Sequence, residues 1–291
     1  MIKSKPTYPF EVVASALAFS PRAKKMLIES KIIAEKFGAK LLLIHAGEKS
    51  DKNQNKLISL TKEVDIDIND TNVIWKSGPI VDVILSVCKE ETVDLLILGA
   101  LQEVSLYQYY MGSVARKLSR KAKCSLLMIT EPKETGQKFN NVVVNGINDQ
   151  KTPKTIETAL YFSSKTNVKN MTIVGELNAK ELIQHDDDKT SVRKLNKKRG
   201  ITKETEIERF QTLKNNYKNN FECLVDHKFI FGKAGHSIGM YAQTIRADLL
   251  VLNSPNKKLS FYDRLFPHDI EYILGDMPCN LLIVHSRNNE S

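Results

Sequence analysis

Several things are missing from this 291-residue chain, and each absence narrows what it does. Its four cysteines, Cys88, Cys124, Cys223 and Cys279, stand far apart with no CxxC pair. Neither a disulfide framework nor a zinc site is indicated, and they read as buried apolar fillers in a reducing cytoplasm. No apolar run approaches the roughly 20 residues needed to span a bilayer. The start, Met1-Ile-Lys-Ser-Lys-Pro-Thr-Tyr-Pro9, is basic, but no apolar stretch or small-residue cleavage site follows, so a cytoplasmic location is expected. The six histidines form no HExxH pair, and there is no GxxxxGK[ST] loop and no G-x-S-x-G elbow. His185-Asp-Asp-Asp188 reads as a solvated turn. Gly235-His236-Ser237 has no evident base or acid partner, and His45 closes a strand, where a structural histidine is the default. No catalytic residue and no metal ligand is assigned, and the chain is expected not to be an enzyme.

Charge does not single out a polymer partner either. The formal net charge is +9, yet basic residues are scattered among acids. The densest basic cluster, Arg193 to Arg199, is followed at once by Glu204, Glu206 and Glu208. That pattern suits a solvated surface rather than a groove-reading element, so neither nucleic acid nor a membrane is an expected partner.

What the chain does contain is a repeat. Val93-Asp-Leu-Leu-Ile-Leu-Gly99 answers Ala247-Asp-Leu-Leu-Val-Leu-Asn253, and Cys124-Ser-Leu-Leu-Met-Ile129 answers Cys279-Asn-Leu-Leu-Ile-Val284. These segments are offset by 154 or 155 residues. Phe10–Ala16 pairs with Asn140–Gly146, and Leu41–Ile44 with Met171–Val174, at an offset of 130. The second copy therefore carries about 24 extra residues, a charged helical insertion placed at about 180–220. A polar linker, Glu131-Pro-Lys-Glu-Thr-Gly-Gln137, separates a first domain, 1–134, from a second, 138–291.

Within the first copy, strands are expected at Glu11–Ala16, Lys40–His45, Asn72–Trp75, Val93–Gly99 and Ser125–Thr130, rich in Val, Ile and Leu as buried parallel strands are. Helical periods alternate with them. Ser20 is a candidate cap with Pro21 at the first helical position, a device repeated by Thr152 and Pro153, and Gly38 can end the first helix. The fold class is α/β: two tandem doubly wound five-stranded parallel sheets of Rossmann-like type. The fifth strands are expected at sheet edges, where they can pair the two copies.

In such sheets ligands sit at the carboxyl ends of the strands, and helix N-termini there offer free amides to an anion. The candidate lies after the fourth strand: Gly99-Ala-Leu-Gln102, a nine-residue loop, then Gly112-Ser113-Val114 opening a helix. Taken alone, Gly112-Ser113 also reads as an ordinary helix start.

Here the chain resembles the universal stress proteins, of the adenine nucleotide alpha hydrolase-like fold. Their Gly-x2-Gly-x9-Gly-Ser/Thr segment is matched by Gly99-x2-Gln102-x9-Gly112-Ser113, and their Asp-Phe-Ser-Pro helix start by Ala18-Phe-Ser-Pro21. Ala122-Lys-Cys124-Ser resembles the family's approach to the fifth strand. The resemblance implies ATP or AMP as ligand, held in the first copy by Ala46, Leu98, Gly99, Gln102, Gly112, Ser113 and Val114. Ala18 stands where the family has an acceptor Asp, a loss worth about tenfold to a hundredfold in affinity, roughly 1.5–3 kcal/mol. Gln102 either narrows the loop or bonds a ligand itself. In the second copy Pro267-His268 replaces the Gly-Ser pair, and Lys257, Lys258 and His268 read as a solvated loop. The first-strand loop there reads as two residues longer, with Asn148 aligned to the missing Asp and Asp149 beside it as a turn residue. The expected function is a non-catalytic stress-response binding module with a weakened nucleotide or small-anion site. It would act through protein partners or as a homo-oligomer, such as a dimer. Alternatives are an adaptor with both sites vestigial and a nucleotide-hydrolysing enzyme.

Overall fold

The computed structural model describes residues 8–67, 71–103, 108–178, 204–205, 207–212, 223–232, 235–255 and 269–285. The apolar runs become strands β1 (Val12–Ala16), β2 (Lys40–Ala46), β3 (Asn72–Lys76), β4 (Leu95–Gly99) and β7 (Ser125–Ile129). Helices α1 (Ala23–Phe37), α2 (Asp51–Glu63), α3 (Ile80–Glu90) and α4 (Ser113–Lys121) connect them. A hairpin, β5 (Leu101–Glu103) and β6 (Gln108–Tyr110), stands between β4 and α4. The second half runs β8 (Asn141–Asn145), α5 (Thr152–Thr166), β9 (Asn170–Asn178), α6 (residues 207–212) and β10 (Leu224–Gly232). It ends with α7 (His236–Thr244), β11 (Leu249–Asn253), α8 (Asp269–Gly275) and β12 (Asn280–Val284).

The two five-stranded parallel sheets are joined edge to edge. The strand order is β10-β9-β8-β11-β12-β7-β4-β1-β2-β3. Each half is parallel throughout, and the seam between the fifth strands is antiparallel, pairing Leu281 with Met128, Leu282 with Leu127 and Ile283 with Leu126. β4, β7, β11 and β12 are apolar on both faces because helices cover both. Two core layers therefore run unbroken across the seam. One holds Leu126, Met128, Leu281 and Ile283; the other holds Leu127, Ile129, Leu282 and Val284.

The repeated Asp of the apolar motif has a structural task. Asp94 Oδ2 accepts from the amides of Glu11 (2.6 Å) and Val12 (2.9 Å), and Asp248 Oδ2 from those of Asn140 and Asn141, each at 2.9 Å. Both carboxylates, that of Asp94 buried and that of Asp248 half-buried, lock the start of a first strand against a fourth. This corrects the sequence alignment by one residue. Val13 and Val142 occupy the same register against Leu95 and Leu249, so β1 and β8 are offset by 129, not 130.

The helix start also differs from expectation. α1 begins at Ala23 with Arg22 as its uncapped N-cap, and Ser20 contributes its carbonyl, not its hydroxyl, accepting from Ala23 N at 2.9 Å. Arg22 has a stronger claim on this turn, described below. In α5 the Thr152 hydroxyl donates back to the Ile147 carbonyl at 2.6 Å, and no side chain caps the helix. Gly38 ends α1 in the left-handed region as expected; Asn167 does the same for α5. The linker is tied down: Glu29, fully buried on α1, accepts from the amides of Lys133 (2.8 Å) and Gln137 (2.9 Å).

Candidate functional site

At the carboxyl ends of β1, β2 and β4, where strand order reverses, a cavity of about 770 Å³ opens. It is lined by the small residues Ala16, Ala18, Ala23 and Gly99, by Met26, Ile44 and Ile84, and by residues of the hairpin and of the first turn of α4. Ala46, Leu98, Gly99, Gln102, Gly112, Ser113 and Val114, the seven residues singled out in the sequence, all line it. Among the described residues, no carboxylate does.

α4 presents an open mouth. Its first intrahelical bond runs from Arg116 N to Gly112 O, and no side chain caps the preceding turn. The amides of Ser113, Val114 and Ala115 thus carry the positive end of the helix dipole toward the cavity. Gly112 is required less by its own conformation than by its neighbour: a Cβ there would lie 2.6 Å from Leu101 Cδ1. Leu101 is half-exposed and leans over the mouth without sealing it. At Gly99 a Cβ would make only an ordinary 3.5 Å contact with Met26 Sδ.

The nine-residue loop expected after Gln102 is in part the β5–β6 hairpin, in which Gln102 pairs with Tyr109. Replacing glycine by Gln102 gives this segment a residue that holds extended pairing, and its exposed side chain stands at the rim. Residues 104–107 lie outside the described residues.

Arg22 is the feature the sequence reading passed over. Its guanidinium donates to the Ala100 carbonyl at 2.8 Å and to the Thr130 carbonyl, spanning the ends of β4 and β7, and it lies 5.9 Å from the Tyr109 ring centre. Burial, followed by the nearby Glu131 charge, raises the Tyr109 phenol above its ordinary range despite Arg22. On the opposite wall His45 packs against Phe19 and Trp75, with ring centres 4.9 and 4.8 Å away. Its Nδ1 lies 3.1 Å from the Leu17 carbonyl, which can only accept. His45 thus has a structural contact through Nδ1 while it also lines the cavity.

The second half repeats this frame with polar side chains where the first half has small or apolar ones. Leu17 N bonds Ile44 O, as Gly146 N bonds Val174 O; Ser20 N bonds Ala18 O, as Asp149 N bonds Ile147 O. The loop is therefore the same length in both halves, not two residues longer. Ile147, not Asn148, stands in the place of Ala18. Asp149 is a turn residue, its carboxylate accepting from Lys151 N at 2.7 Å. Asn253 replaces Gly99 and is tied to both Thr152 (3.1 Å) and Thr155 (2.5 Å), the counterparts of Ala23 and Met26. Glu176, the counterpart of Ala46, turns its carboxylate onto the start of α7, accepting from Gly235 N (2.9 Å) and Ile238 N (2.8 Å). An internal anion thus sits at the third-helix mouth of this half. Phe210 of α6 fills the space that Gly146 and Gly175 leave beneath the loop. Lys257, Lys258, Pro267, His268, the 193–199 cluster and His185–Asp188 lie outside the described residues.

Nucleophilic and metal chemistry find little here. Cys88 is held as a thiol by its contact with Cys124 and by burial, and burial does the same for Cys279. Among the described residues no group of three His, Cys, Asp or Glu is placed to hold a metal ion, and no helix is long and apolar enough to cross a membrane.

A parallel sheet with helices on both faces and a cavity at its switch point defines an α/β protein of doubly wound, Rossmann-like architecture. The model of the Universal stress protein family matches residues 40–130, from β2 through the end of β7, and the chain carries a universal stress protein domain there. Three solved structures extend the likeness to nearly the whole chain. A functionally unknown protein from Pseudomonas aeruginosa PAO1 superimposes with a TM-score of 0.70 at 15% identity, over 97% of this chain and 94% of its own. A putative universal stress protein from Pseudomonas aeruginosa UCBPP-PA14 gives 0.68 at 15% identity, over 97% and 95%. A universal stress protein from Archaeoglobus fulgidus DSM 4304 gives 0.60 at 14%, over 96% and 97%. These likenesses show the fold. No curated protein matches the sequence.

Proposed function

We propose that the chain is a tandem universal stress protein, with domains at 1–134 and 138–291, working as a non-catalytic cytoplasmic binding module. Its first-half cavity takes an adenine nucleotide, ATP or AMP, with reduced affinity. One observation carries this reading: the uncapped first turn of α4 opens onto a cavity of about 770 Å³, within the size range of small-molecule sites. The charge pattern agrees, since among the described residues no carboxylate lines the cavity to repel a phosphate. The base would lie in the apolar part, toward Ile44, Ala46 and Ile84, and the phosphates at Gly112, Ser113 and Val114. Because Ala18 supplies no acceptor for the sugar, binding is weak, and ligand occupancy would follow cellular nucleotide level. The binding signal would then pass to a protein partner or a second copy of the chain.

A second reading is favoured by Leu101, whose side chain lies directly over Gly112. In that reading both sites are vestigial and the protein is an adaptor. Calorimetry of the full chain with ATP, ADP and AMP at millimolar concentration separates the two. Saturable heat supports the sensor, and its absence leaves the adaptor. Phosphate release above background would instead identify a nucleotide-hydrolysing enzyme.

A further inference from the structure

The part of the first half that carries the anion-facing amides is anchored to both halves. Met111, Ala115 and Leu118 pack in the core beside β4 and α3, while Tyr109 and Met111, leading from the hairpin into α4, also make main-chain bonds to the other half. Met277 N donates to Tyr109 O at 2.8 Å, and Met111 N donates to Leu274 O at 2.9 Å. Arg116, in the first turn of α4, completes the connection. Its Nε donates to Met111 O at 2.8 Å, Nη2 to Leu274 O at 3.2 Å, and Nη1 to Glu271 Oε2 at 2.5 Å. The other oxygen of Glu271 accepts from Arg120, one turn further along α4. Glu271 is the least exposed member of the trio, at 17% against 31% for Arg116 and 40% for Arg120. One carboxylate of α8 therefore fixes two arginines on a single face of α4, and through Arg116 it fixes the carbonyl just before Gly112.

We infer that Glu271 is a positioning residue for the first-half cavity: the second half serves as the mount that aims the amides of Ser113, Val114 and Ala115. This rests on the reading that the cavity binds a nucleotide. Without the Glu271 charge, Arg116 loses the acceptor that orients its guanidinium, its hold on Met111 O loosens, and the turn at Gly112 is free to shift.

The sign of the effect on binding separates positioning from simple electrostatics. Removing a negative charge and freeing two arginines would, by charge alone, tighten an anion. Loss of positioning weakens it. The test uses the full chain with Glu271→Gln and Glu271→Asp, folded by near-ultraviolet circular dichroism, and two readouts. ATP titration is expected to show Glu271→Gln about tenfold weaker than wild type, the scale of a modest coupling between sites, with Glu271→Asp in between. Amide hydrogen exchange without ligand is expected to speed up over 109–115 in Glu271→Gln while β4 and β11 are unchanged. Tighter or equal ATP binding in Glu271→Gln, or unchanged exchange over 109–115, overturns the inference. If wild type binds no nucleotide, the proposed function fails, and the exchange readout still decides for or against positioning.

Discussion

Arg22 and Lys151 hold the same place in the two halves: each crosses the mouth of its own sheet to donate to the carbonyl just past the fourth strand, Ala100 for Arg22 and Ser254 for Lys151, at 2.8 and 2.7 Å. The cation is a strut before it is anything else. Arg22 bears on a second carbonyl, that of Thr130, as well.

The strut predicts a stability cost. Charged hydrogen bonds to carbonyls contribute about 1.5–3 kcal/mol apiece before solvent screening, and the Arg22 side chain is partly exposed. Arg22→Met should lower stability by about 1–3 kcal/mol. Urea unfolding measures the loss, and an unchanged midpoint would show that the two carbonyl contacts contribute nothing.

Ala18→Asp should restore what the first cavity lacks. A carboxylate on this exposed turn, beside the sugar position, should tighten ATP by about tenfold or more. Calorimetry reads the change directly. Unaltered affinity would place the sugar elsewhere in the cavity.

Leu101 and Gly112 predict opposite responses. Leu101→Ala clears the mouth and should strengthen ATP binding by a few-fold, whereas Gly112→Val drives a side chain into Leu101 and should abolish binding without unfolding the chain. The expectation for Gly112→Val depends on Leu101 swinging outward, which its half-exposed position permits. A Gly112→Val protein that binds ATP like wild type would remove α4 from the site.

Glu29 predicts a dependence on pH. Burial is the dominant influence on its carboxyl and raises its pKa above the ordinary glutamate value of 4.5, outweighing the amides of Lys133 and Gln137 and the charges of Lys133 and Lys36. The folded chain then keeps a proton that the unfolded chain has lost. Stability from this group is therefore fully present below about 4.5 and declines as pH rises through the folded value. Glu29→Gln should flatten that slope in urea midpoints measured across mildly acidic pH. An unchanged slope would assign it to other groups.

Phe210 predicts a packing cost. It is buried at 3% exposure, and its ring lies 5.2 Å from both His227 and Phe229. Phe210→Ala should cost about 3–5 kcal/mol, because glycines at 146 and 175 leave nothing to close the gap. A loss under about 1 kcal/mol would mean that the loop collapses onto the vacancy.

The fold was legible because its signals are local and redundant. Runs such as Leu95–Leu98 and Leu281–Val284 are apolar on both faces, and the two copies of the Asp-Leu-Leu motif corroborate each other. The lining of the first cavity was legible too, since Gly99, Gly112 and Ser113 follow a spacing tied to one turn of chain. What stayed hidden depends on partners distant in sequence. Nothing around Arg22 announces a carbonyl 108 residues away, and Glu271 stands 155 residues from Arg116. In the second half Pro267-His268 lies outside the described residues, and the polar contacts of Asn253, Thr152, Thr155 and Glu176 were not legible because the meaning of such ordinary residues lies in what they face. The one-residue slip between β1 and β8 arose because a run of valines matches itself equally well in neighbouring registers.

The seam between β7 and β12 has a bearing on assembly. A lone five-stranded unit would leave its fifth strand bare, inviting a twin to dock there. Here that berth is taken from within, so each molecule is already its own couple, and among the described residues the outermost strands are β3 and β10 at the far flanks. A larger complex is not built on the fifth-strand edge, which the seam already occupies. An oligomer of this protein would therefore be put together differently from one whose subunits each bring a single copy of the fold.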